Sequence, residues 1–224
     1  TYNVHGDLLS KAAGSQTVSY TYDNNSNRLS MTDSTGTTYW TYDALGRVLT
    51  NNVPNFGTTT YDYSYYDSDW YFVVVTPPNN NWYRKAYDST NRLVQVDKGN
   101  FNDIYLQISY LDNGAKDTIT YGTGSTHPTE TYSYYGDGTL QELINRDASG
   151  NILAEYDYTY DSAKNLTQKV DSLGTTYYTY DELNRLESIT GAGQATTSYT
   201  YDEAGNRESQ IVNTVNTNYE YDET

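Results

Sequence analysis

Polar and apolar residues alternate along this chain with a period of two, in short stretches separated by Asp, Asn and Gly. Thr38, Trp40 and Tyr42 fall on one face of such a stretch, and Tyr39, Thr41 and Asp43 on the other. Val18/Tyr20/Tyr22, Thr176/Tyr178/Tyr180 and Thr197/Tyr199/Tyr201 repeat the arrangement, so aromatics stand two apart on a shared face. The residues around them are Thr, Val and Ile, which favour strands. No apolar pattern with a 3.6-residue period is long enough for a helix. Turn signals recur about every ten residues and leave strands of about six or seven. The pattern predicts an all-β fold of tandem antiparallel β-hairpins.

The turns carry the repeat. Tyr-Asp occurs as Tyr22-Asp23, Tyr42-Asp43, Tyr66-Asp67, Tyr87-Asp88, Tyr160-Asp161, Tyr180-Asp181, Tyr201-Asp202 and Tyr221-Asp222, with degenerate copies at Tyr110-Leu111-Asp112 and Tyr134-Tyr135-Gly136-Asp137. Their tyrosines are spaced 20 to 26 residues apart, giving a single array of about ten units over residues 1–224. Asp43-Ala44-Leu45-Gly46 suits a type I turn followed by a left-handed residue. Gly205 sits in a similar turn, Asn91 and Asn184 replace the Gly elsewhere, and Lys164 at the same place predicts slight strain. Arg28, Arg47, Arg92, Arg185 and Arg207 fall just after their turns, and the expectation is that each pairs with a turn Asp or a Tyr face. Half a repeat later Asp33-Ser34-Thr35-Gly36, Asp171-Ser172-Leu173-Gly174 and Asp147-Ala148-Ser149-Gly150 read as the second turn of each unit. In this scheme Tyr22 to Leu29 and Tyr201 to Arg207 contain one extra turn residue. Residues 67–83 read as an irregular insertion, centred on Thr76-Pro77-Pro78-Asn79-Asn80-Asn81.

Composition adds what the pattern leaves open. Leu, Ile, Val and Phe make up 37 of 224 residues, and the formal net charge is −16. Such values ordinarily belong to disordered chains, yet 28 tyrosines supply burial area that the aliphatics do not. The charge makes nucleic acid and anionic membranes poor partners, and no apolar run is long enough for a membrane span. The absence of cysteine removes disulfides and thiolate chemistry. Only His5 and His127 could act as a neutral-pH base, His127 within the loop Gly124-Ser125-Thr126-His127-Pro128, so no enzyme activity and no cofactor are expected. Asp23-x-Asn25-x-Asn27 superficially follows the start of a calcium loop but lacks its Gly and Glu.

Tyr-Asp-x-x-Gly-Arg-(Leu/Val) at this spacing, best seen at Tyr42 to Val48, Tyr87 to Leu93 and Tyr180 to Leu186, resembles the RHS or YD-repeat family from about Tyr20 onward. The resemblance implies a large bacterial secreted or surface protein whose repeats form a curved, spiralling strip closing into a hollow shell around a C-terminal cargo. The chain would then be a wall segment, its partner the remainder of its own longer chain. The self-cleaving closure of such shells does not carry over, because the sequence has no Asp-Pro. The alternative reading is a carbohydrate-binding or cell-surface adhesion module. Its candidate glycan-contact residues are Trp70, Tyr71, Trp82 and Tyr83, flanking the irregular stretch. A strip also has two unpaired edges, and Trp70 to Val75 is the segment expected to mediate edge-to-edge self-association.

Overall fold

The computed structural model describes residues 1–98, 103–122 and 126–221. Asp222, Gly124 and Ser125 lie outside them. Among the described residues there is no helix, and the chain divides into two compact units, Thr1–Gln107 and Ile108–Thr224.

Unit one holds β1 (Ser10–Ala13), β2 (Gln16–Tyr22), β3 (Arg28–Asp33), β4 (Gly36–Tyr42), β5 (Val48–Val53), β6 (Gly57–Tyr66), β7 (Trp70–Thr76), β8 (Tyr83–Asp88), β9 (Leu93–Asp97) and the start of β10 (Ile104–Tyr110). Each strand pairs antiparallel with the next, as in Trp40↔Asn51 and Tyr71↔Tyr87. Unit two continues with β11 (Lys116–Tyr121), β12 (Thr129–Tyr134), β13 (Leu140–Arg146), β14 (Ile152–Tyr160), β15 (Leu166–Asp171), β16 (Gly174–Tyr180), β17 (Leu186–Gly191), β18 (Thr197–Tyr201), β19 (Arg207–Val212) and β20 (Val215–Asn218). From β11 onward these form the same antiparallel ladder. The all-β hairpin fold read from the alternation is the observed fold.

The two faces of the ladder differ as the period of two requires. One carries hydroxyl pairs across the strands, such as Thr21–Ser30 at 2.6 Å, Thr41–Thr50 at 2.7 Å and Thr200–Ser209 at 2.8 Å. The other carries half-buried rings: Trp40 and Tyr42 are partly covered, while Tyr39, just before them and on the opposite face, is 56% exposed. A bulge follows most of the Tyr-Asp turns, the Tyr66-Asp67 turn being an exception. Tyr42 pairs with Val48 but Thr41 with Thr50, which leaves Leu49 extra, and the same shift recurs at Tyr22, Tyr87, Tyr160, Tyr180 and Tyr201. Such bulges add twist.

The stretch 67–83 is not the irregular insertion expected. Trp70–Thr76 is strand β7, in register with β6 and β8, and only residues 77–82 form a longer connection. For the same reason Trp70 to Val75 is not an exposed edge. Its alternate residues bury Phe72 on one face and Val73 and Val75 on the other, which makes this run, with Ala86, the apolar core of unit one. A run apolar on both faces belongs inside a sheet rather than at its rim. Tyrosine therefore supplies the half-buried layer of most repeats, whereas the fully buried apolar positions are aliphatic or Phe.

The second turns pack tightly on one another. A Cβ on Gly174, whose φ is +113°, would lie 2.6 Å from Ala192 Cβ, and one on Gly57 would lie 2.9 Å from Pro78. Gly174→Ala is expected to lower stability by about 2–3 kcal/mol through positive φ and overlap together. Urea unfolding with an unchanged m-value checks this, and a shift below about 0.5 kcal/mol would contradict it.

Candidate functional site

The recurring chemistry sits in the Tyr-Asp turns. In Tyr42-Asp43-Ala44-Leu45-Gly46-Arg47 the Asp43 N–H donates to the Arg47 carbonyl at 2.9 Å, and the Gly46 N–H to the Asp43 carbonyl at 3.0 Å, with Gly46 at φ +76°. Asp43 Oδ1 accepts from the N–H groups of Leu45 and Arg47, and Oδ2 accepts from Arg47 Nε at 2.7 Å. Asp88–Arg92 and Asp181–Arg185 repeat this geometry, with Asn91 and Asn184 taking the positive φ. Lys164 takes it at φ 66°, and its Nζ donates to the Asp137 carbonyl.

Where Arg comes one residue later, the turn is no longer. Asp23 and Asp202 bond Asn27 and Asn206 in the Arg47 manner, backbone to Oδ1 and side-chain amide to Oδ2. Asn fills the closing position, and Arg28 and Arg207 begin the strand, so the extra turn residue expected there is absent. Both Asp23 oxygens are engaged inside their turn, as are those of Asp161, paired with Asn165. Asp147-Ala148-Ser149-Gly150-Asn151 also belongs to this five-residue class, not to the two-residue class of Asp33 and Asp171. Tyr66-Asp67 is a shorter variant, closed by the Asp67 N–H on the Trp70 carbonyl.

Sequence reading passed over one copy. In Tyr2-Asn3-Val4-His5-Gly6-Asp7-Leu8 the amide and carboxylate have exchanged places: Asn3 Oδ1 accepts from His5 and Asp7 N–H groups, and Asn3 Nδ2 donates to Asp7 Oδ2 at 2.7 Å. The signal was the Gly at the fourth turn position, hidden because Asn stands where Asp was sought. At Leu111 and Tyr135 the backbone loop persists without a capping carboxylate at that position.

Five repeats are tied to their predecessors by a tyrosine. Tyr22, Tyr42, Tyr201 and Tyr221 hydroxyls donate to the carbonyls of Leu8, Arg28, Leu186 and Arg207, at 2.7–3.0 Å and 14 or 15 residues upstream. Tyr63 does the same to Val48. Arginines fill the space between rings: Arg28 lies over Tyr20 and Trp40, Arg47 over Tyr63, Arg185 over Tyr201, and Arg207 over Tyr199 and Tyr219, at 4.3–6.0 Å. Burial pushes the Tyr42 hydroxyl up, which keeps it a protonated donor to Arg28. Tyr201→Phe keeps the ring over Arg185 and removes only the donor to Leu186. It is expected to cost about 1 kcal/mol in urea unfolding, and a neutral result would show that the rung does not fix the repeats.

The four candidate glycan-contact aromatics are not brought together. Trp70 and Tyr71 lie at the turn end of β7 on opposite faces: Trp70 packs edge-on against Phe72, while Tyr71 stacks on Tyr87 at 5.0 Å and its hydroxyl donates to Asn91. Trp82 and Tyr83 lie at the far end of the β7–β8 hairpin, with Tyr83 opposite Val75 and Lys85 Nζ 5.9 Å from its ring. Of the four, Trp82 borders an open cleft, which it shares with Tyr65, Val74, Thr76 and Arg84.

Residues 2–38, 160–196 and 180–219 match the model of the RHS Repeat. No curated protein matches the sequence. Among solved structures the chain is similar to a mutant Tc holotoxin pore of Photorhabdus luminescens, with a TM-score of 0.54 and 16% identity over 96% of this chain and 16% of that one. It is also similar to TcdB2-TccC3 without its hypervariable C-terminal region, with a TM-score of 0.57 and 16% identity over 96% and 15%, and to TcdB2-TccC3-Cdc42, with a TM-score of 0.55 and 16% identity over 96% and 16%. At that identity the likeness is one of fold, and the chain spans 15–16% of the length of the chains it matches. Residues 2–38 and 160–219, one stretch in each unit, therefore carry RHS repeats, and the same Asp-capped turn recurs between them at Asp43 and Asp88.

Proposed function

We propose that this chain is a structural wall segment of a larger secreted or surface RHS-repeat protein, part of a shell that encloses or delivers a toxin or effector. The observation that carries the reading is the likeness over 96% of this chain to Tc toxin chains several times its length. The repeat chemistry is consistent with it. Turn carboxylates and their arginines close the loops, and tyrosine hydroxyls tie repeats to their predecessors, which is the work of a wall rather than of a reaction centre. Its partners on this reading are further repeats and the cargo of its own longer chain, outside the cell.

Peptide mass mapping of the native polypeptide in cells and medium tests this. The expected result is peptides running beyond residue 224 on a much longer chain, with a downstream segment protected from protease until the wall is denatured. A native product confined to these residues would overturn it. A carbohydrate-binding or adhesion role is the second reading, favoured by the exposed Trp82 indole beside the exposed Tyr65.

A further inference from the structure

Tyr65 on β6 stands opposite Phe72 in the ladder, and Trp82 immediately precedes Tyr83, which stands opposite Val75. The rings are 53% and 43% exposed, and with Val74, Thr76 and Arg84 they line an open cleft of about 460 Å³. That volume is within the range of small-ligand sites, roughly 300–1,000 Å³. Tyr65, opposite Phe72, and Thr76 mark the two ends, and the four strand rises from Phe72 to Thr76 span about 13 Å, the reach of a short oligosaccharide. The connection carrying Trp82 is held in place. Asn80 N–H donates to the Pro77 carbonyl at 2.9 Å, and Pro78 packs where Gly57 has no Cβ. A ring so held loses little freedom on binding.

We propose that this cleft binds a neutral oligosaccharide, with sugar faces laid on Trp82 and Tyr65 and a sugar hydroxyl bonded to Thr76. Charge selects the class. A chain of net charge −16 repels acidic sugars, and the one cation in the cleft, Arg84, is paired with the buried Asp97 through Nε at 3.1 Å. The aromatic rings then provide the stacking surface, as amphipathic rings do where one side stays wet. The proposal rests on the carbohydrate reading and is independent of the wall reading.

Calorimetry of the full chain with N,N′,N″-triacetylchitotriose, maltotriose and trigalacturonate tests it. The expected result is binding of at least one neutral trisaccharide and none of trigalacturonate. Trp82→Ala and Tyr65→Ala each weaken binding at least tenfold with an unchanged urea midpoint, and Tyr39→Ala, an exposed ring elsewhere, leaves it unchanged. Binding that survives both cleft variants would overturn the site while leaving the carbohydrate reading intact. Preference for trigalacturonate would overturn the charge argument, and no binding of any of the three probes would remove both site and reading.

Discussion

Asp97→Ala is expected to destabilise unit one by about 3 kcal/mol, the cost of leaving a largely buried guanidinium at the floor of the cleft without its counter-charge. Asp97 is fully buried, and Arg84 reaches it through Nε at 3.1 and 3.3 Å and through Nη2 at 3.2 Å. Gln95, itself 1% exposed, donates to the same carboxylate at 2.8 Å, and Gln107 donates to Gln95 at 2.9 Å. The Arg84 guanidinium also lies 4.5 Å from the centre of the Phe72 ring. Removing one partner exposes the full desolvation cost of the other, whereas removing both need not. The double variant Arg84→Met/Asp97→Leu should therefore recover most of the loss. Urea unfolding gives the size of the effect, and hydrogen exchange at β7–β9 amides gives its place. A single variant within about 1 kcal/mol of the parent would show that the pair is not held in a dry environment.

Acid is expected to destabilise both units, with the urea midpoint level above about pH 5 and falling from about pH 4 downward. The turn aspartates are held below their ordinary range in the folded state. At Asp23, Asp147, Asp161 and Asp202 the main cause is the side-chain amide of Asn27, Asn151, Asn165 or Asn206. At Asp43 and Asp88 burial pushes upward and is outweighed by the bonds from Arg47 and Arg92. At Asp181 the Arg185 amide leads. A carboxyl with a depressed folded value binds its proton more readily when unfolded. Its contribution is therefore complete above the unfolded value and is lost as pH falls through the folded one. Because the groups recur along both units, the losses accumulate. Replacing Asp43 and Asp181 by Asn should lower the midpoint at pH 7 and flatten its dependence on acid. A midpoint unchanged between pH 5 and pH 2 would refute the role of these carboxylates.

What could be read from residues alone was whatever depends on neighbours within a turn or a strand. Asp43, Gly46 and Arg47 meet within five residues, so their spacing already specifies the loop. The period of two likewise separates Trp40 and Tyr42 from Tyr39 without any knowledge of what lies beside them. Reading by residue identity was too strict where chemistry is interchangeable. The Asn3–Asp7 exchange preserves the same bonds, and Asn27 closes the turn as Arg47 does.

Other features depended on partners far apart in sequence. That Trp70 to Val75 is a central strand follows from its pairing with both β6 and β8, and one apolar run looks the same at an edge or in the middle. Arg84 and Asp97, 13 residues apart, become a buried pair because β8 and β9 place them opposite each other. The same registers send Trp70 and Trp82 to opposite ends of a hairpin and set Tyr65 in the same cleft as Trp82. Local periodicity fixes which way a side chain points, and only the register between strands fixes what it meets.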